Sequence, residues 1–194
     1  MNEKGSNHQL LKQNNHNLIK RFIYRNSPIS RVEIAHQLGL TTATITGMVN
    51  PMISSGLLRE TTAQADETKA AGRPRMMLEF VSEAFYICGV DTGPYRTNYV
   101  LTDLLGNTIA VRRTNQPLGE YQVTLERFAR EIPAFLDEAG IPREKILGVG
   151  ICLPGMIDGS VDKIYDIFQE GWTEHNFSAE LSQRLGLKVE VENN

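Results

Sequence analysis

The sequence predicts two modules: a mainly helical helix-turn-helix with a small β wing over residues 1–80, and an α/β module over 81–194. Three observations lead there. Apolar residues recur at helical spacing in the first part of the chain and at strand spacing beyond position 82. Cap and glycine signals cut the helical part into short pieces joined by tight turns. Charge is also divided. Residues 1–75 carry ten Lys and Arg against five acidic residues, a net of +5, which leaves −8 in the rest of a chain whose total is −3. Such a split sets a basic module, suited to an anionic polymer, beside an acidic one.

A first helix covers 10–24, where Leu10, Leu11, Leu18, Ile19, Phe22 and Ile23 share a face, and it ends before Asn26-Ser27-Pro28. Ser30-Arg31-Val32-Glu33 is a capping box that opens a second helix through Ile34, Ala35 and Leu38, with Gly39 as its left-handed stop. Thr41 or Thr42 then caps a third helix that turns Ile45, Met48, Val49 and Met52 inward. Small Ala35, the Gly39 turn and the shared apolar set make the pair a helix-turn-helix. Pro51 is expected to kink the third helix. Residues 57–61 and 76–80 read as a hairpin, and Gly72-Arg73-Pro74-Arg75 lies in its connection.

The third helix exposes Thr42, Ala43, Thr44, Thr46, Gly47 and Asn50. These short side chains suit a major-groove floor, where hydroxyls and amides meet base edges and phosphates. The candidate DNA contacts are Ser30, Arg31, Thr41, Thr42, Ala43, Thr44, Thr46 and Asn50, with Arg73 and Arg75 from the wing. Arg73, between Gly and Pro, suits a narrow A·T-rich minor groove. A helical hairpin that touches no DNA, and a plain loop with solvated arginines, are the alternatives.

Composition excludes other classes. With 41% hydrophobic and 22% charged residues, the chain is that of a globular protein. No apolar run approaches the roughly 20 residues of a membrane span, and the polar start Met1-Asn2-Glu3-Lys4-Gly5 is no signal core, so a cytoplasmic protein is expected. Cys88 and Cys152 lie in strand-like runs with no Cys or His at ligand spacing, and read as reduced core residues. His8, His16, His36 and His175 show no ligand or triad spacing.

In the second module, strands over 85–90, 97–102 and 108–113 precede a helix marked by Leu125, Phe128, Ile132, Phe135, Leu136 and Ala139, which Pro133 is expected to interrupt. A strand over 146–152, an irregular stretch, a helix capped by Ser178 and a strand over 187–192 follow. Three meandering strands and then strand–helix units indicate an α/β layer whose parallel part starts at the fourth strand. Asp91-Thr92-Gly93-Pro94 reads as a turn able to hold a phosphate, against a plain tight turn. Asp158, Asp162 and Asp166 are read as solvated charges rather than a cation site.

The order of these parts resembles the ROK family (repressors, open reading frames, sugar kinases). The motifs are Asp91-Thr92-Gly93, Asp103-Leu104-Leu105-Gly106-Asn107, Gly148 to Gly155 as Gly-x-Gly-Ile-x-x-Pro-Gly, and Val191-Glu192-Asn193. The likeness is to the repressor branch, including xylose-type repressors. It implies an actin-like, ribonuclease-H-like first lobe and a repressor of carbohydrate genes that leaves its double-stranded operator when a sugar binds. Pro154, Gly155, Asn193 and Asn194 are the implied sugar contacts, and a homodimer is the implied assembly. The family's kinases hold ATP phosphates on Asp-x-Gly-Gly-Thr-Lys, where this chain has Asp91-Thr92-Gly93-Pro94-Tyr95-Arg96. Pro94 has no N–H to offer and Tyr95 is expected to crowd the loop. Asn194 stands where the kinases carry their catalytic Asp, and an amide takes no proton from a hydroxyl. The expectation is therefore a regulator without enzyme activity or cofactor. The alternatives are a sugar kinase with an added domain, and a DNA-binding module whose lobe only dimerises. A second lobe and a zinc site belong to longer relatives, so a fragment or truncated gene product with an uncovered apolar surface is expected.

Overall fold

The computed structural model describes residues 3–62, 75–158, 163–167, 169, 171–173 and 175–193, with side chains from residue 14 onward. The chain divides into two compact units, Met1–Val81 and Ser82–Asn194.

The first unit runs α1 (Glu3–Asn26), β1 (Ile29–Ser30), α2 (Arg31–Leu38), α3 (Thr42–Ser54), β2 (Leu58–Thr62) and β3 (Met76–Phe80). The capping box of α2 is present in both directions. Glu33 N–H donates to Ser30 Oγ at 3.2 Å, and Ser30 N–H donates to Glu33 Oε2 at 3.0 Å. Those bonds place the Glu33 carboxyl below its ordinary range, the Ser30 side chain contributing most. Gly39, at φ 64°, closes α2, and Thr41 caps α3 by accepting from Thr44 N–H. Ile19, Ile23, Ile34, Ile45, Val49, Leu58 and Leu78 fill the core. Helix α3 continues through Pro51 to Ser54. The sheet order is β1-β3-β2, antiparallel throughout. Strand β1 was not anticipated, because two residues are too few to show an alternation. The β2–β3 connection, with Gly72, Arg73 and Pro74, lies outside the described residues.

The second unit contains β4 (Tyr86–Thr92), β5 (Thr97–Asp103), β6 (Thr108–Thr114), α4 (Tyr121–Glu138), β7 (Ile146–Leu153), β8 (Met156–Asp158), β9 (Lys163–Asp166), α5 (Phe177–Leu185) and β10 (Val189–Asn193). Its main sheet has the order β10-β7-β4-β5-β6. Strands β4, β5 and β6 pair antiparallel, while β7 runs parallel to both β4 and β10. Parallel pairing thus starts at the fourth strand of the module. One face buries Cys88, Val90, Tyr99, Leu101, Val149 and Ile151 against Leu125, Phe128, Ile132 and Phe135 of α4 and Leu181 of α5. The other face leaves Ile87, Ile109, Val111 and Leu147 exposed.

Several expectations need correction. The irregular stretch after β7 holds the β8–β9 hairpin, whose strands are too short for a clear pattern. Helix α5 is capped by Asn176, which accepts from Ala179 N–H, and Ser178 lies inside the helix. Helix α4 starts earlier, at Tyr121, and passes through Pro133 without a break. Among the three aspartates, Asp158 and Asp166 lie on the hairpin, and Asp162 is outside the described residues.

Two sequence motifs are structural here. The buried Asp103 carboxylate accepts from Leu105 N–H, Asn107 N–H and Asn107 Nδ2 at 2.8–2.9 Å, which folds the turn between β5 and β6. Burial pushes this carboxyl up, but the bonds from Asn107, Leu105 and Ser82 outweigh it and hold it below its ordinary value. Gly155 has φ 155°, and a Cβ there would lie 2.2 Å from the Asp166 carbonyl oxygen, so no side chain fits beside β9.

Gly155→Ala should therefore destabilise the second unit by roughly 1–3 kcal/mol in chemical denaturation, whereas Gly150→Ala, with open space at its Cβ, should cost little. Equal effects would contradict the packing. A carboxylate held low stabilises the fold above its unfolded-state pKa and loses that contribution as pH falls through its folded value. The stability advantage of wild type over Asp103→Asn should shrink as pH drops below the ordinary carboxylate range. An advantage independent of pH would contradict the Asp103 assignment.

Candidate functional site

In the first unit, the turn from Gly39 to Thr41 sets the start of α3. Leu40 N–H donates to the Ala35 carbonyl at 3.0 Å, and Thr41 Oγ1 lies 2.8 Å from Thr44 Oγ1. Ile45, Val49 and Met52 face inward, while Thr42, Ala43, Gly47 and Asn50 are exposed and Thr44 and Thr46 half-exposed. The face of hydroxyls and amides expected from the sequence is thus presented on a single helix. Ser30 differs from the rest. It is buried and its hydroxyl is committed to the α2 cap. Arg75 is exposed just before β3. Arg73 lies outside the described residues.

Arg31, the first residue of α2, joins three elements. Its Nη1 donates to Glu60 Oε1 on β2 at 2.5 Å, and its Nη2 reaches Asn50 Oδ1 on α3 at 3.4 Å. Beside it a cleft of about 470 Å³ is lined by Arg31, Val32, Thr42 and Arg75, among others. Sequence reasoning missed Glu60. The available signal was its phase, since it stands two residues from buried Leu58 on the strand and so shares that residue's face of the sheet.

In the second unit the parallel strands collect the other candidates at their carboxyl ends, where open α/β sheets place ligands. Asp91 is register partner of Cys152, and Asn193 of Leu153, directly before Pro154-Gly155. Pro154, Gly155, Asn193 and Asp91 therefore share one end of the sheet. Asn194 lies outside the described residues. Asp91 and Thr92 belong to β4 and not to a turn, because the β5 pairing continues to Thr92↔Thr97. Asn98 Nδ2 donates to Asp91 Oδ2 at 3.0 Å.

The turn that follows is closed on itself. Gly93 N–H donates to the Arg96 carbonyl at 3.0 Å, and Pro94 has no N–H. Tyr95 is 84% exposed, so it does not crowd the loop as expected but points into solvent. Beneath lies a buried polar network. Arg127 Nη1 donates to the Pro117 carbonyl at 2.9 Å, Thr97 Oγ1 donates to the Gln116 carbonyl at 2.7 Å, and Leu118 N–H donates to the Gly93 carbonyl. Trp172 Nε1 donates to the Gly119 carbonyl at 3.1 Å, tying the same loop from the other side. Burial also pushes the Cys88 thiol up to about 12, which makes it an inert core residue.

Arg127→Leu should free the 115–119 loop and accelerate amide exchange at Leu118 by about one to two orders of magnitude, the scale of one or two lost buried hydrogen bonds. Unchanged protection would show that Arg127 does not hold the turn.

Comparison with known proteins agrees with this architecture. The xylose repressor of Bacillus subtilis is 27% identical over 183 residues, covering 94% of this chain and 47% of that protein. The DNA-binding transcriptional dual regulator NagC of Escherichia coli is 28% identical over 159 residues, covering 82% of this chain and 38% of that protein. The chain spans about half the length of the curated relatives it matches, or less. A crystal structure of a ROK family transcriptional regulator, a homologue of the E. coli Mlc protein, superposes with a TM-score of 0.79 at 23% identity over 94% of this chain and 46% of that one, and so shares its fold. Residues 87–194, more than half of the sequence, match the family described as ROK, and the chain belongs to the ROK family.

Proposed function

We propose that the chain acts as a DNA-binding transcriptional repressor of carbohydrate-metabolism genes, with residues 1–80 as a winged helix-turn-helix and 81–194 as the first lobe of an actin-like sugar-sensing domain. The observation that carries this reading is the exposed face of α3, where Thr42, Ala43, Thr44, Thr46 and Asn50 stand on a helix whose opposite side is core. A helix meant only for water would carry Glu and Lys there. The net +5 of residues 1–75 supplies the attraction to phosphate. The names of the relatives, a xylose repressor and a DNA-binding regulator, agree with it.

In this reading α3 enters the major groove, Arg75 meets phosphate, Arg31 stands on the same DNA-facing surface, and Arg73 enters the minor groove from the wing. A sugar held near Pro154, Gly155, Asn193 and Asn194 favours one lobe arrangement, which changes the spacing of two winged helices in a homodimer and releases the operator. The kinase alternative is disfavoured by the self-closed Gly93–Arg96 turn and by Asn194, whose amide cannot serve as the base.

The chain should bind promoter-like duplex DNA with an affinity that falls with salt, the log–log slope dropping by about 0.9 for each phosphate contact removed. Thr44→Ala should shift base preference at central positions by roughly 1–3 kcal/mol, and Arg73→Ala should act mainly at A·T-rich flanks. Uniform losses over a randomised library would contradict both roles. With ATP, magnesium and a panel of pentoses and hexoses, mass spectrometry should find no sugar phosphate, and turnover would overturn the regulator reading.

A further inference from the structure

The Arg31 contact raises a question of charge. Arg31 stands on the surface assigned to DNA, yet its guanidinium is already neutralised. The Arg31 side chain is 18% exposed and that of Glu60 39%, so the arginine is the more covered partner of the pair. Both terminal nitrogens are engaged, one by Glu60 and one by Asn50. Among the described residues Arg31 Nε has no partner, although it is buried. Because Asn50 Oδ1 accepts from Arg31, exposed Asn50 keeps its amide N–H groups as the donors it can offer.

We propose that Glu60 is a specificity-determining residue of the DNA-binding surface: its carboxylate holds Arg31 away from phosphate and thereby suppresses sequence-independent binding, while Arg31 in turn fixes the Asn50 amide toward an acceptor on the DNA. The proposal rests on the DNA-binding reading above. Sequence-independent affinity scales with the number of phosphates that cations neutralise. An arginine paired with a carboxylate does not add to that number unless the pair opens, and the displaced carboxylate then repels the backbone. Opening is favoured only where Asn50 and the rest of α3 find matching bases. Glu60 therefore penalises wrong sequences more than right ones, which is how a repulsive element produces specificity.

The test uses the full 194-residue chain and two probes, a random-sequence duplex and a pool selected from a randomised library by the wild-type chain. Glu60→Gln should raise affinity for the random duplex several-fold at low salt, steepen its salt slope by about 0.9, and narrow the ratio between selected and random DNA. Glu60→Asp, which keeps the charge, should leave the slope unchanged. Arg31→Ala combined with Glu60→Gln should lose the gain. Glu79→Gln removes the same charge from the Arg59–Glu79 pair on the strands β2 and β3 and measures the effect of net charge alone. A gain in Glu60→Gln no larger than in Glu79→Gln, or one that survives the loss of Arg31, would overturn the proposal while leaving DNA binding intact. If the wild-type chain binds no duplex at any salt, the DNA-binding reading fails first and this proposal with it.

Discussion

The three-residue turn from Gly39 to Thr41 is the constraint on which the first unit depends. Helix α2 ends because Gly39 takes a left-handed conformation at φ 64°, which any side chain would resist. Leu40 bonds back to Ala35, and two residues after the glycine Thr41 already caps the next helix. With so short a connection the direction of α3 is set by α2, and Ile34, Ala35, Ile45 and Val49 lock it from beneath. The hydroxyl face of α3 has a defined orientation only because this turn leaves it no freedom. An interface read by short side chains needs such rigidity, since Thr and Asn cannot reach far to compensate for a misplaced helix.

In the second unit the corresponding constraint is parallel pairing. Strands β4, β7 and β10 point the same way, so three separate stretches of sequence deliver Asp91, Pro154-Gly155 and Asn193 to one end of the sheet. The candidate residues of the second unit thus share one end of the sheet, while the turn that follows β4 is occupied with its own hydrogen bonding. The Gly93–Arg96 hydrogen bond consumes a backbone donor, proline removes another, and the Arg127 network holds the neighbouring loop in place. Two of the backbone positions that could otherwise face an anion in this turn, Gly93 and Pro94, have no N–H to spare.

Much of the fold was legible in the sequence because its signals are local. The Ser30–Glu33 box, the Gly39 stop and the periodicity of α4 each lie within one element, and the structure places them where the spacing predicts. Pairing was less legible. Strand β1 and the hairpin β8–β9 are stabilised by distant partners and are too short to carry a period. Pro133 misled in the other direction, since α4 runs through it without a break, and α3 likewise continues through Pro51. Each removes one helical bond, and the core contacts of Met52 in α3 and of Ile132 and Phe135 in α4 outweigh that loss. For the sites, residue types were readable but their engagement was not. Tyr95 is solvent-facing, and Glu60, from 29 positions away, sits on Arg31. Such a long-range contact leaves no mark in local spacing.

The most direct test of the regulator reading is an amide chemical-shift map of the chain with and without a duplex selected from a randomised library. The account predicts that shifts concentrate in the first turn of α2 and along Thr42, Ala43, Thr44, Thr46 and Asn50, with the buried residues of α4 unmoved. Shifts confined to the carboxyl ends of β4, β7 and β10, or none in α3, would contradict it.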